Sequence, residues 1–384
     1  MAGYRVDVCD PSAMCLGRFS IFTDHFYRCP AIGQNPWEYL DFICRLLARK
    51  KYDVLFPTHE QAFLFSRMRD RIPPSVGLAV ANFDSFLAVQ GKAAFVRTLE
   101  RLAIPQPESR IIRSEPELRT EHRFPFFLKL DYSTASTGTW RIDSPVTLAH
   151  KAEELKARGL LDGDREWVVQ RPAAGPVERV QTVFDRGHLV GMHGYRQILE
   201  SVGAGDIVKR SIDCSSVRPH IVRLGQHLQW HGALSLDYIL EDRIPRFIDA
   251  NPRLVEPVNA LLSGVNLAEA LVKISCGEAV ETLPDSRSGV QTHMLLMGLL
   301  TAAGRRKSRI DVLRELGRAM IGRKSYKQSR EELLPLRLAP PAVLPLVYAL
   351  ARLLMNPRSA GTLSAGTVAA YSLSPESARQ VAAA

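Results

Sequence analysis

No apolar run in this 384-residue chain approaches the ~20 residues needed to cross a bilayer. Its first residues, MAGYRVDVCD, lack the basic stretch followed by an apolar one that marks a secretory leader. The six cysteines (Cys9, Cys15, Cys29, Cys44, Cys214, Cys276) form no C-x-x-C pair, so neither a zinc knuckle nor a disulfide framework is indicated. Reduced thiols of a cytoplasmic protein are expected instead. There is no H-E-x-x-H, no G-x-S-x-G, no G-x-G-x-x-G and no G-x-x-x-x-G-K-[ST]. Zinc-protease, α/β-hydrolase, dinucleotide-binding and Walker-type readings therefore gain no support. No internal repeat is present, and the histidines are dispersed; His227 and His231, four apart, lack a third ligand and read as structural.

What is present is the composition of a folded chain, 46% hydrophobic and 23% charged, long enough for two or three domains. The net charge of +10 is concentrated. Between Thr301 and Arg330 ten Lys or Arg face only Asp311 and Glu315, which leaves +8 in one segment. The remainder is nearly neutral, so a general nucleic-acid-binding surface is not expected and the basic segment needs its own explanation.

Hydrophobic periodicity divides the chain into an α/β unit over 1–88, a second region over 89–280 and a basic, helical, then proline-rich region over 281–384. In the first, strands at Tyr4–Cys9 and Tyr52–Pro57 alternate with helices at Trp37–Lys50 and about Glu60–Asp70, which predicts a parallel sheet. In the second, a helix over Lys92–Leu102 precedes strands at Phe124–Leu130, Trp167–Arg171, Val180–Phe184 and Leu189–His193. Helices are expected near Leu148–Arg158 and Val217–Leu228, with a polar loop over Glu200–Lys209.

The segment LSLDYILEDRIPRFIDANPR, Leu234–Arg253, carries the most information. Alternation on both sides of a polar EDR turn predicts a β-hairpin. A turn centred on Arg243 sets Asp237 opposite Asp249, with Asn251 two residues on and on the same face. Two like charges ~5 Å apart repel by roughly 3 kcal/mol at an effective dielectric of ~20. Such a pair calls for a cation, and oxygen ligands from Asp237, Asp249 and Asn251 suit a hard ion such as Mg²⁺, with Mn²⁺ also admissible. A solvated hairpin face is the competing reading, and a one-residue slip of register would separate the two carboxylates.

Three further pieces fit phosphate chemistry. Lys92 opens a helix, where a cation beside the N-terminus suits an anionic ligand. Lys129 ends the apolar strand FPFFLKL and precedes the loop DYSTASTGT, whose backbone N–H groups and hydroxyls of Ser133, Ser136 and Thr137, with Gly138, can fold over phosphates. A lysine at the inner end of a buried strand must find an anion or lose its charge, unless it snorkels to water. The strand WVVQRP breaks into an irregular segment, with Gln170, Arg171 and then Glu178, that reads either as a linker or as a binding edge. Arg253 follows the hairpin with a fork of donors suited to a phosphate.

In this order and spacing the pieces resemble the ATP-grasp superfamily, in particular its carbamoyl-phosphate-synthase-like, carboxylate–amine ligase branch. The resemblance covers about residues 1–277 and rests chiefly on Asp249, Asn251, Pro252 and Arg253, with Asp237 a dozen residues upstream. It implies an α/β fold with an α+β lid over about 124–172, preceded by a reduced Rossmann-like domain and followed by a helical extension. It implies that Lys92 and Lys129 hold the α- and β-phosphates of ATP, and that the segment after Val169 (Gln170, Arg171) borders the adenine. Glu178 would take the ribose hydroxyls, Asp237, Asp249 and Asn251 would hold Mg²⁺, and Arg253 would reach the transferring phosphate. Arg196 and Gly203–Ala204–Gly205 fall where such enzymes contact phosphate or acceptor.

The chain departs from the family in three respects. Asp249 stands where Glu is commoner, the lid loop is poor in glycine, and the N-terminal unit starts at its apparent second strand. The last departure suggests either a true start upstream of Met1 or a domain reduced to scaffolding. The activity implied is ATP- and Mg²⁺-dependent joining of a small carboxylate to an amine through an acyl phosphate. Two other readings stay open: a peripheral membrane protein or scaffold, docking weakly on anionic lipid through 305–355, and an ATP-grasp kinase.

Overall fold

The computed structural model describes residues 3–132, 138–161, 165–201, 205–333 and 340–384. Three sheets organise them. In the N-terminal unit β1 (Val6–Asp10) pairs in parallel with β2 (Thr23–Arg28). A four-stranded sheet follows, built from β3 (Ser109–Ile112), β4 (Phe126–Leu130), β5 (Thr139–Ile142) and β6 (Trp167–Gln170) in the order β3-β6-β4-β5. The largest sheet holds β7 (Val177–Asp185), β8 (His188–Glu200), β9 (Asp206–Ile212), β10 (Gly232–Glu241), β11 (Ile244–Asn251), β12 (Gln291–His293) and β13 (Arg330–Glu331), in the order β11-β10-β7-β8-β9-β12-β13.

Local chemistry accounts for the helices that matter to the site. The Pro36–Arg49 helix begins where the Asn35 side chain accepts from the amides of Trp37 and Glu38, with proline in its first turn. It buries Tyr39, Leu40, Ile43 and Leu47, one face at helical spacing. The Lys92–Arg101 helix starts at Gly91, and Asp131 at the end of β4 receives its N-terminus: the carbonyl accepts from the Lys92 amide at 3.2 Å and Oδ1 from the Ala93 amide at 2.8 Å. That contact fixes the helix bearing Lys92 to the strand bearing Lys129.

The even-numbered residues of β10 (Leu234, Leu236, Tyr238) join Phe63, Phe65 and Phe86 of the N-terminal unit, Trp230 and the Arg218–Leu228 helix in one apolar cluster. Against the four-stranded sheet the Pro145–Ala157 helix seals Phe126, Leu128, Ile142 and Trp167. Residues beyond 290 are mostly helical, and the Leu295–Arg306, Arg309–Met320 and Val343–Met355 helices share a third core around Leu299, Val312 and Leu353. Among the described residues no helix is long and apolar enough to cross a membrane.

Two sequence expectations are corrected. Tyr52–Pro57 forms only the isolated bridge Val54 to Gly77, because Pro57 donates no hydrogen bond and restricts the residue before it. The N-terminal Rossmann-like sheet is thereby reduced to β1 and β2 among the described residues. The last four residues of the polar loop expected over Glu200–Lys209 belong instead to strand β9, in which Asp206 and Lys209 are buried because each finds a charged partner inside.

Gly232 starts β10 at φ +105°, and a Cβ there would lie 2.3 Å from the carbonyl oxygen of Ala79. Only glycine meets both conditions. Gly232→Ala is expected to destabilise the fold by about 2 kcal/mol or more; an unchanged urea midpoint would show that this contact does not constrain the hairpin.

Candidate active site

The β10–β11 hairpin turns on two residues, Asp242 and Arg243, both left-handed at φ +49° and +66°, as a two-residue type I′ connection requires. This corrects the expected centre on Arg243. A two-residue turn pairs Glu241 with Ile244 and Tyr238 with Phe247, and by itself would bring Ile248 opposite Asp237. A bulge at Ile248 restores the pairing of Asp237 with Asp249, then Leu236 with Ala250 and Ser235 with Asn251. The two aspartates therefore share a face, as expected, for a different reason.

The bulge also recruits a cation. Ile248 has no cross-strand partner, and its carbonyl accepts from Lys129 Nζ at 2.8 Å. Lys129 also donates to Gln170 Oε1 at 2.7 Å, and Gln170 Nε2 donates to Ser109 Oγ at 3.0 Å. Gln170 is thus engaged in orienting the lysine. Burial pushes the Lys129 ammonium down to about 8, with Lys92 adding to the drop and Asp249 and Asp237 opposing it. Lys92 Nζ lies 3.8 Å from Asp249 Oδ1.

On the inner side, the register from β10 to β7 sets Arg179 beside Asp237. Its Nε stands 3.3 Å from Asp237 Oδ2, and its other arm pairs with Asp206 of β9. Burial, with Asp249 and Asp206 nearby, raises the Asp237 carboxyl to about 6 against the pull of Arg179. Further along the same face Lys209 is fully buried between Glu256 at 3.0 Å and Glu332 at 2.9 Å, with its ammonium 5.0 Å from the Tyr195 ring centre. Sequence reasoning missed Arg179, Asp206, Lys209 and Glu256. Arg179 could have been found: it shares the parity of Gln181 and Val183 in a strand whose neighbour had already been read correctly.

Arg253 follows the hairpin and is half-buried; among the described residues its guanidinium makes no hydrogen bond or ion pair. Burial lowers its pKa, opposed by Glu60, Asp249, Tyr371 and Asp237. The C-terminal region reaches this point. Tyr371 packs on His59 with ring centres 4.5 Å apart, and the Leu373 amide donates to Glu60.

Other expected site residues are not brought to the carboxylate pair. Glu178 and Arg196 face each other on β7 and β8, on the side of the sheet opposite Asp237, and Arg196 Nε donates to Glu178 at 2.9 Å. Burial raises the Tyr238 phenol beside the same Glu178. Arg196 is one residue out of phase with Tyr195, the partner of Arg179, so the strand register does not bring it to the face of the aspartates. Arg171 turns its side chain to the Arg123 carbonyl and its amide to the Glu108 carbonyl. Gly138 accepts from the Leu130 amide at 2.7 Å, closing the loop base. Ser133, Ser136, Thr137, Gly203 and Ala204 lie outside the described residues.

The donor set fits a hard divalent ion, with two carboxylates opposite each other and the Asn251 amide on the same face. Among the described residues no group of three His, Cys, Asp or Glu could hold a metal, so the protein alone supplies an incomplete shell. Water or ligand oxygens would complete it. What the arrangement offers chemically is a polyanion seat. Cations from the four-stranded sheet and the Lys92 helix face acidic groups on the large sheet across a narrow gap.

No family model matches the chain. Among curated proteins it is 23% identical over 235 residues to the carbamoyl phosphate synthase large chain of Deinococcus radiodurans and 24% identical over 239 residues to that of Corynebacterium glutamicum. These matches span 57% and 58% of this chain but only 22% and 21% of those proteins. Among solved structures, the biotin carboxylase domain of Hydrogenobacter thermophilus 2-oxoglutarate carboxylase, in complex with MgADP, ADP and bicarbonate, aligns at TM-score 0.58 and 16% identity. That alignment covers 70% of this chain and 64% of that one. Biotin carboxylase from Campylobacter jejuni aligns at TM-score 0.57 and 14% identity, covering 74% and 68%. The L-amino acid ligase of Bacillus licheniformis aligns at TM-score 0.56 and 13% identity, covering 71% and 70%. Mixed sheets in this order, a lysine-bearing four-stranded sheet poised over an acidic hairpin and these structural neighbours together establish that the chain has the ATP-grasp fold.

Proposed function

We propose that this chain is an ATP- and Mg²⁺-dependent ligase that activates a small carboxylate as an acyl phosphate and joins it to an amine. The observation that carries the reading is Asp237 set opposite Asp249 within reach of Lys92 and Lys129. A structural neighbour holding MgADP and bicarbonate and another named an L-amino acid ligase support it.

In the proposed reaction an oxygen of the substrate carboxylate attacks the γ-phosphorus, and the bond to the β–γ bridging oxygen breaks as ADP leaves. The amine nitrogen then attacks the acyl carbon, phosphate departs and the nitrogen loses a proton. Little covalent work falls to the protein, so positioning and charge neutralisation dominate. Asp237, Asp249 and Asn251 would hold magnesium, which supplies charge neutralisation on the phosphate oxygens when bound. Lys92 and Lys129 neutralise the nucleotide from the lid side. Arg253, with no hydrogen-bonding partner among the described residues, is the group free to bind the carboxylate or the transferring phosphoryl. Glu178, if it meets the ribose, does so from the opposite side of the strand from Asp237.

Asp249→Ala removes a charge from a half-exposed position, so it is expected to retain the fold and lose roughly 10²–10³-fold or more of ADP release. ADP release at the wild-type rate would refute the metal assignment. Trapping by hydroxylamine separates ligase from kinase: a hydroxamate forms only where an acyl phosphate does.

The Lys129 pKa supplies an independent measurement. Its folded value, about 8, lies below the ordinary lysine value, so a cost to stability is fully present below pH 8 and fades as pH rises toward the unfolded pKa. Phosphates placed against Lys129 restore its affinity for the proton. Nucleotide binding somewhat above pH 8 is therefore expected to take up protons, seen by calorimetry in buffers of different ionisation enthalpy and abolished in Lys129→Met. Binding without proton uptake would remove Lys129 from the phosphate site.

A further inference from the structure

We propose that the Arg309–Met320 and Val343–Met355 helices form a docking face for the surface of an anionic lipid bilayer, a function separate from the nucleotide site. Each helix is apolar on two sides. The inner sides carry Val312, Leu346 and Leu353 into the shared core. The outer sides are also apolar and lie in water. Leu344, Val347, Tyr348 and Met355 are 50%, 51%, 43% and 66% exposed, and with Ala351 they run at spacings of three and four along one helical strip. Ile310 and Leu313, with Met320 and Ile321 at the far end, form a second strip with 51–77% exposure.

The two strips belong to neighbouring elements. The Arg309 guanidinium donates to the Met355 carbonyl at 3.0 Å, which ties the start of one helix to the end of the other. Scattered exposed apolar residues are ordinary; two adjoining strips of them are not.

Charge selects the occupant. Ten Lys or Arg against two carboxylates lie between Thr301 and Arg330, and both carboxylates are already engaged inside the protein. Asp311 pairs with Arg314 at 3.4 Å, and Glu315 pairs with Arg318 at 3.0 Å and accepts from Tyr326 at 2.6 Å. At 3.6 residues per turn, Arg314 and Arg318 border the Ile310–Leu313–Ile321 strip. An apolar strip edged by arginine is the pattern of a helix lying in a membrane interface, with side chains in the acyl boundary and cations at the headgroups. Neither helix is long enough to span, so the protein would lie on the bilayer.

Co-sedimentation of the full chain with vesicles of phosphatidylcholine alone, and with about a third phosphatidylserine, tests this. Pelleting with the anionic vesicles only, reversed by salt, is expected. Leu313→Glu with Val347→Glu should abolish it. Arg314→Gln with Arg318→Gln should weaken it roughly 25-fold, with ATP turnover and melting temperature unchanged in both variants. Equal pelleting with both vesicle types, no pelleting with either, or indifference to both variants would overturn the proposal. So would a wild-type dimer in sedimentation velocity that Leu313→Glu with Val347→Glu converts to monomer, since a second copy would then cover the face.

Discussion

The repulsion between Asp237 and Asp249 is the constraint around which the rest of the site is arranged. Strand pairing holds them face to face, where like charges cost stability, and three cations from three different elements offset that cost. Arg179 comes from the next strand of the same sheet, Lys92 from a helix start and Lys129 from the four-stranded sheet. The last two link bodies that share no strand pairing, so the acidic hairpin also draws the lid sheet toward the large sheet. Asp131 keeps this arrangement in register. By accepting from the Ala93 amide it couples the Lys92 helix to the strand of Lys129.

The hairpin was legible because alternation over ten residues on one side and eight on the other leaves little freedom in which face is buried. Its exact geometry was not legible. A turn on Asp242 and Arg243 and a bulge at Ile248 together reproduce the pairing expected from one turn on Arg243. Nothing in the composition of RFIDAN announces that the isoleucine is the unpaired residue. Yet the bulge is what frees the carbonyl for Lys129, so the sequence reading reached the facing of Asp237 and Asp249 while missing the device that places a counter-charge beside them.

Elsewhere the failures share a cause. The start of β9, read as a loop, contains Asp206 and Lys209, residues that local propensity assigns to surface; the ion pairs to Arg179, Glu256 and Glu332 let them be buried in a strand. Those partners lie far away in sequence and cannot be seen from a window. Arg196 is set apart from the acidic pair by parity. An arginine two strands from the acidic pair looked well placed, but it sits one residue out of phase and spends its charge on Glu178. The apolar run at 52–57 failed for want of a neighbour, because a strand needs a partner and Pro57 ends the pairing after one bridge.

Charge balance at the site constrains the order in which ligands could arrive. Lys92, Lys129 and Arg179 stand against Asp237, Asp249 and Asp206, so the facing groups are close to neutral before anything binds. A divalent ion entering alone would meet two carboxylates that already have cations beside them. A polyphosphate entering alone would meet two aspartates among the lysines. Together the charges of metal and polyphosphate largely cancel, and the ion screens phosphate from carboxylate. In the proposed ligase, metal and nucleotide would therefore bind cooperatively, and Arg179, by occupying one oxygen of Asp237, would leave the other to the ion.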